Sequence, residues 1–297
     1  MKIKAYFYIV TAAVLWGIIS IFMSALSKMG LNSIGTAAVR FIISALLMSA
    51  YYVLKDRTKF RIKIKDFWLF LGTGIAGLLF FSLCYFVTIN NIGVAFAVVF
   101  LYTAPIFVSI ISAIAFKESM GKTKIISVII TFIGCIFVSE MLSANEKIGL
   151  TSLLVALGAG FGYGLYTIFC KALILRNYES ETITLYTFIV SSVGILPLLP
   201  YGNLECIMNP QGILWAVLLA LFSAVVPYLL YSKGLELVDA SVASVLSTIE
   251  LVVGAVVGFV VFKEQLSISK IIGILLILVA VNLGYFVIRK GKDKINL

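Results

Sequence analysis

The sequence predicts an all-α membrane protein of ten transmembrane helices, folded as two inverted five-helix repeats with both termini cytoplasmic. Three observations predict it. The 297 residues are 62% hydrophobic and 12% charged, with a mean hydropathy of +1.14, whereas a soluble domain carries about 25% charged residues. The apolar residues fall in long runs separated by charge, Asn, Gly or Pro. The chain also matches itself at half its length. Phe116-Lys117-Glu118 recurs as Phe262-Lys263-Glu264 and Lys124-Ile125-Ile126 as Lys270-Ile271-Ile272, while Ala97 meets Ala243 and Val99 meets Val245, all at an offset of 146. A chain that repeats itself in this way is built twice from one unit.

The runs cover residues 6–27, 33–54, 67–89, 94–116, 123–140, 149–171, 182–200, 211–233, 240–262 and 269–288. A membrane helix needs about 20 apolar residues, and these ten runs meet or approach that length. Barrel strands would show alternating segments of about ten residues, a pattern missing here. Lys2 and Lys4 before the first run imitate a signal peptide. No small-residue cleavage site follows, so the first run is expected to remain as a helix.

Orientation follows from Lys and Arg, which concentrate on the cytoplasmic side. With the N-terminus inside, eighteen basic residues fall on that side, including the run from Lys55 to Lys65 and Lys292 and Lys294 near the end. Four fall on the other, Lys28, Lys147, Lys263 and Lys270. Five spans per repeat is odd, so the second copy enters from the opposite face. Leu15-Trp16-Gly17 accordingly falls near Gly162-Tyr163-Gly164, and Phe22 on Phe169, at an offset of 147. The expected units are residues 1–145 and 146–297. Inverted repeats suit alternating access, because exchanging the conformations of the two halves turns the protein from one face to the other.

The chain resembles the ten-helix, EamA-type branch of the drug/metabolite transporter superfamily. The resemblance rests on Leu15-Trp16-Gly17, Val39-Arg40-Phe41, Tyr102-Thr103-Ala104-Pro105, Glu250 and the two Phe-Lys-Glu triplets, which together span nearly the whole chain. Where many relatives carry Glu-Pro in the ninth span, this chain has Glu250-Leu251. The resemblance implies secondary transport, often export of amino acids, other metabolites or drugs, and leaves the cargo open.

Other classes fit poorly. The net charge of +10 lies between apolar runs and makes no soluble basic face for nucleic acid. Four scattered cysteines form no CxxC pair, and the chain has no histidine. The sequence therefore offers no metal site, no cofactor motif and no common general base. Without GxxxxGK[ST] there is no nucleotide-driven pump. An intramembrane enzyme and a non-transporting membrane scaffold remain as alternatives from other classes.

Arg40, about seven residues into the second span, and Glu250, near the middle of the ninth, are the charges placed deep in the apolar runs. Charges at such depth are costly and mark functional sites. Arg40 is the candidate to hold a substrate carboxylate, or else to pair with Glu250 or reach the outer headgroups. Glu250 is the candidate to hold an amine or a coupling proton. Trp16, Tyr85, Tyr102, Tyr163 and Tyr228 are candidates to line a cavity, with Tyr166, Tyr186 and Tyr231 in reserve, since Tyr offers a ring for stacking and a hydroxyl for orientation. Any one of them could equally be packing. Pro105 and Pro227 lie inside spans and are candidate gating points, because a proline frees a carbonyl and bends the helix. Gly158, Gly160, Gly162 and Gly164, and Gly254 with Gly258, suit close helix packing.

Loop 55–66 has a basic residue at every odd position, read first as a topology signal; in an extended chain these residues would also share one face toward anionic headgroups. Glu118 and Glu264 end the spans beside the cavity wall and are read as hinge ends. Spans five and ten hold few polar groups, and the family resemblance implies a place for them at the periphery, supporting the fold or forming a homodimer contact. The expected protein is a multi-pass carrier of the cell (inner) membrane. Its cargo is a small organic metabolite such as an amino acid, moved outward; efflux of amphipathic drugs or nucleobase-like compounds is the alternative.

Overall fold

The computed structural model describes residues 2–143 and 149–290. Lys147, Lys292 and Lys294 of the charge count lie outside the described residues. Eight helices among the described residues are long and apolar enough to cross a membrane. One of them, Ile64–Leu101, is two spans in series, because Gly93 sits at φ 85° and ψ 168° and interrupts the helix. The fourth span continues as the apolar helix Ala104–Ala115, and Lys122–Val138 makes the fifth. The remaining spans are Ile3–Lys28, Ser33–Lys55, Leu150–Ile174, Ser180–Tyr201, Pro210–Leu235, Ala240–Val260 and Ile268–Val287. The fold is therefore the expected ten-helix bundle.

The repeat is visible in the irregularities. Π-helical turns occupy Gly72–Leu79 in the third span and Leu221–Val225 in the eighth, positions that overlap at the repeat offset. The fourth span breaks at Tyr102-Thr103 and the ninth at Thr248, its repeat mate. The ninth-span break thus forms without the proline of the family pattern. Lys117 and Lys263 both take positive φ, at 55° and 58°. Glu118 then donates its N–H to the carbonyl of Ser112 at 3.3 Å, and Glu264 to Gly258 at 3.0 Å. Each Phe-Lys-Glu triplet is a helix C-cap with lysine in the left-handed position that glycine normally fills.

The halves interlock. Span one packs on eight, and its mate, six, packs on three. Two meets seven, four meets nine, and five meets ten. Every principal contact therefore crosses from one repeat to the other. The glycines of the sixth span act as the spacing suggested: a Cβ on Gly160 would lie 2.2 Å from the Phe100 carbonyl. Spans five and ten pair along their length.

Loop 55–66 is not extended. It folds into two 3-10 turns, Arg57–Phe60 and Ile64–Asp66. It docks on the turn after span six through Arg176 to Asp66, Lys59 to Glu179, and a 2.9 Å bond from Tyr178 Oη to Asp66. The hydrogen bond to Glu179 holds Lys59 above its ordinary pKa despite opposing desolvation. Its basic side chains do not share one face, because Arg57 turns back to the Val53 carbonyl while Lys59 reaches Glu179.

Candidate functional site

A cavity of about 280 Å³ lies among spans one, two, three, four, six, eight and nine, and both deep charges reach it. The wall is mostly apolar, with Ile19, Met23, Phe41, Phe81, Phe86 and Leu101. Its polar groups are Ser20, Thr36, Arg40, Ser82, Tyr85, Tyr163, Tyr228 and Glu250, together with Trp16. Apolar walls with a few convergent polar groups are the usual make-up of a small-molecule site.

Arg40 is anchored by a consequence of Pro227. A proline has no N–H for the carbonyl four residues back, which here belongs to Ser223, inside the π turn. Arg40 Nη2 donates to that carbonyl at 2.6 Å. Its guanidinium also lies 5.7 Å from the centroid of the Tyr228 ring. Arg40 Nε is buried and makes no hydrogen bond, and so is the indole Nε1 of Trp16. Two donors of the cavity wall are therefore unmatched.

Glu250 lies in the first turn of Ile249–Val260, just after the break at Thr248. A carboxylate there faces the positive end of that helix segment. Its Oε2 accepts a hydrogen bond from Tyr163 Oη at 3.2 Å. Arg40 and Glu250 line one cavity with separate partners, Ser223 and Tyr163, and form no ion pair. Gly17 brings the first span to this point: a Cβ there would lie 2.5 Å from Val253 Cβ and 2.8 Å from the Glu250 carbonyl.

Below the cavity, toward the face that carries the N-terminus, the aromatic residues close into a floor. Trp16 meets Tyr228 edge-on at 5.2 Å between centroids, and Tyr166 meets Tyr228 at 4.9 Å. Tyr231 Oη and Thr167 Oγ1 are 2.8 Å apart, and Tyr166 Oη and Ser232 Oγ 3.2 Å. The cavity is thus built on the half of the bundle away from the N-terminus.

Of the candidates from sequence, Trp16, Arg40, Tyr85, Tyr163, Tyr228 and Glu250 come together at the cavity. Tyr102 is buried at the break in span four, outside the lining. Tyr186 is remote and donates to the Phe60 carbonyl. Pro105 stands in the first turn of Ala104–Ala115, after the break and not within a continuous helix. The lining residues Ser20, Thr36, Ser82 and Phe81 carried no sequence signal, because such residues fill every span. The Ser223 carbonyl had one, the proline four residues on.

The family model of EamA-like transporters matches residues 3–140 and again 150–286. The chain belongs to the EamA-like transporter family. Among relatives, an uncharacterized transporter of Archaeoglobus fulgidus is 31% identical over 88% of this chain and 90% of its own. The uncharacterized transporter YwfM of Bacillus subtilis is 28% identical over 71% and 69%. A crystal structure with 16% identity superposes with a TM-score of 0.82, covering 98% of this chain and 99% of that one, a likeness of fold. The cavity described above is thus set within an EamA-like bundle, and the duplicated match follows its repeat.

Proposed function

We propose that this EamA-like transporter is a secondary carrier that moves a small organic metabolite, such as an amino acid, outward by alternating access through the cavity between Arg40 and Glu250. One observation carries the reading: a mostly apolar cavity presents a guanidinium and a carboxylate that are not paired with each other. A solute with an anionic end and a cationic end satisfies both, while the apolar wall takes its body. Trp16, Tyr85, Tyr163 and Tyr228 complete the binding surface in this reading. Tyr102, at the edge of the moving segment, acts indirectly.

Glu250 is the coupling group, exchanging a proton or the substrate amine, and Pro105, Pro227, Glu118 and Glu264 mark the points about which segments move. The repeats run 1–145 and 146–297. Both termini lie in the cytoplasm and the bilayer is the cell membrane, as the bias of Lys and Arg supports. A pair of copies meeting through spans five and ten is the proposed dimer.

The test is uptake and efflux by proteoliposomes across labelled amino acids, nucleobases and cationic amphipathic drugs, with and without a pH gradient. Movement of zwitterions supports the proposal. Movement of amphipathic cations alone transfers the role to the apolar wall, and movement of nothing favours a scaffold.

A further inference from the structure

The two Phe-Lys-Glu caps are equivalent in sequence and backbone, yet their carboxylates do different things. On the N-terminal face, Glu118 Oε1 accepts the N–H of Ala240 at 2.6 Å. Its Oε2 accepts the N–H of Ser241 at 3.2 Å and the Ser241 hydroxyl at 2.7 Å. It thereby caps the first turn of the ninth span. Nearby, Lys124 bonds Asp239 at 2.6 Å, and Lys171 donates to the carbonyls of Leu235 and Val238, each at 2.8 Å. This knot ties the turns after spans four and eight together beneath the aromatic floor.

On the other face the repeat mates make no such bond. The mates of Ala240 and Ser241 are Val94 and Ala95, the start of the fourth span after the break at Gly93. A Cβ on Gly93 would meet nothing within 4 Å. Glu264, the mate of Glu118, is instead folded back over its own helix. A Cβ on Gly258 would lie 2.8 Å from its Oε2. Its partner is Lys270, the mate of Lys124, at 3.3 Å, and Lys270 also reaches Glu140 at 3.4 Å. The cavity lies on this unlatched side.

We propose that Glu118 and Glu264 are alternating latches: Glu118 on the ninth-span N-terminus holds the state seen here, and Glu264 on the N–H groups of Val94 and Ala95 holds the opposite one. The proposal rests on the alternating-access reading above. Inverted repeats exchange conformations when the protein turns over, so the contact made by one copy in this state is the contact owed to the other in the next. Gly258 is the resting place that lets the unused carboxylate lie back. A carboxylate at a helix N-terminus gains from both capping and the helix dipole, which makes one engaged latch worth about a tenfold change in a population ratio.

The experiment is a spin-label distance measurement in nanodiscs on full-length protein with its four cysteines replaced. One label pair sits at Thr123 and Glu236 on the N-terminal face, and the other at Asn91 and Gln265 on the opposite face, all surface or turn positions. In Glu118→Ala the first distance should lengthen and the second shorten together, with the population ratio moving about tenfold. Gly258→Ala, which evicts Glu264 from its resting place and leaves Glu118 intact, should shift the ratio in the same direction. It serves where Glu118→Ala does not fold. Removing both carboxylates should return the ratio toward that of the parent.

Lengthening of the first distance without shortening of the second would make Glu118 a static cap and overturn the proposal, as would no change in either. Linked distances in a protein that moves no solute would instead sink the transport reading and leave the latches standing.

Discussion

If Arg40 answers the carbonyl that Pro227 leaves open, the cost of losing Arg40 depends on that proline. Arg40→Ala removes a charge-assisted bond of 2.6 Å to the Ser223 carbonyl. It also removes a guanidinium 5.7 Å from the centre of the Tyr228 ring. A hydrogen bond to a charged group is worth about 1.5–3 kcal/mol, and a cation–π contact about 0.5–2 kcal/mol. The single substitution should therefore cost about 2–5 kcal/mol. Pro227→Ala restores an N–H four residues beyond Ser223, so the carbonyl can be answered within its own helix. In that background Arg40→Ala should lose only the ring contact and cost about 1.5–3 kcal/mol less. Thermal unfolding of the four proteins in detergent gives the cycle, with the single Arg40 variant lower by about 5 °C. Equal losses with and without Pro227 would refute the link between the proline, the π turn and the arginine.

Other outcomes follow from the same geometry. Tyr163→Phe removes the donor to Glu250 at 3.2 Å and should raise the KM for a cationic or zwitterionic solute about tenfold with little change in melting temperature, measured by proteoliposome uptake. Gly160→Leu forces a side chain into a space where a Cβ already lies 2.2 Å from the Phe100 carbonyl. It should destabilise the protein by 3 kcal/mol or more, roughly, and abolish monodisperse expression. Lys117→Gly relieves a left-handed lysine at φ 55° and should stabilise the protein by about 1 kcal/mol, read by melting temperature.

Much of the fold was legible because hydropathy and repetition are strong signals in a chain this apolar. The two deep charges were found because so few charges lie within the spans, and they do share one cavity. The breaks were harder to see. Thr248 interrupts the ninth span where no proline stands, and the π turns at Gly72–Leu79 and Leu221–Val225 share no composition, the first being rich in glycine and the second having none. Tyr102 shows the limit of choosing residues by type and depth. It lies at mid-span, but at the break it is buried and stands outside the lining. The asymmetry between Glu118 and Glu264 is invisible in two identical triplets, since it belongs to a conformational state and not to the sequence.

The cavity holding Arg40 and Glu250 is proposed to move a solute, with Glu250 coupling the movement. The most direct measurement is accumulation of labelled solute in proteoliposomes under an imposed pH gradient, with wild type and Glu250→Gln side by side. The wild type should move the solute concentratively and the variant merely equilibrate it, because the amide oxygen can still accept from Tyr163 but the group cannot take up or release a proton. Concentrative, gradient-dependent movement by Glu250→Gln at the wild-type level would contradict it.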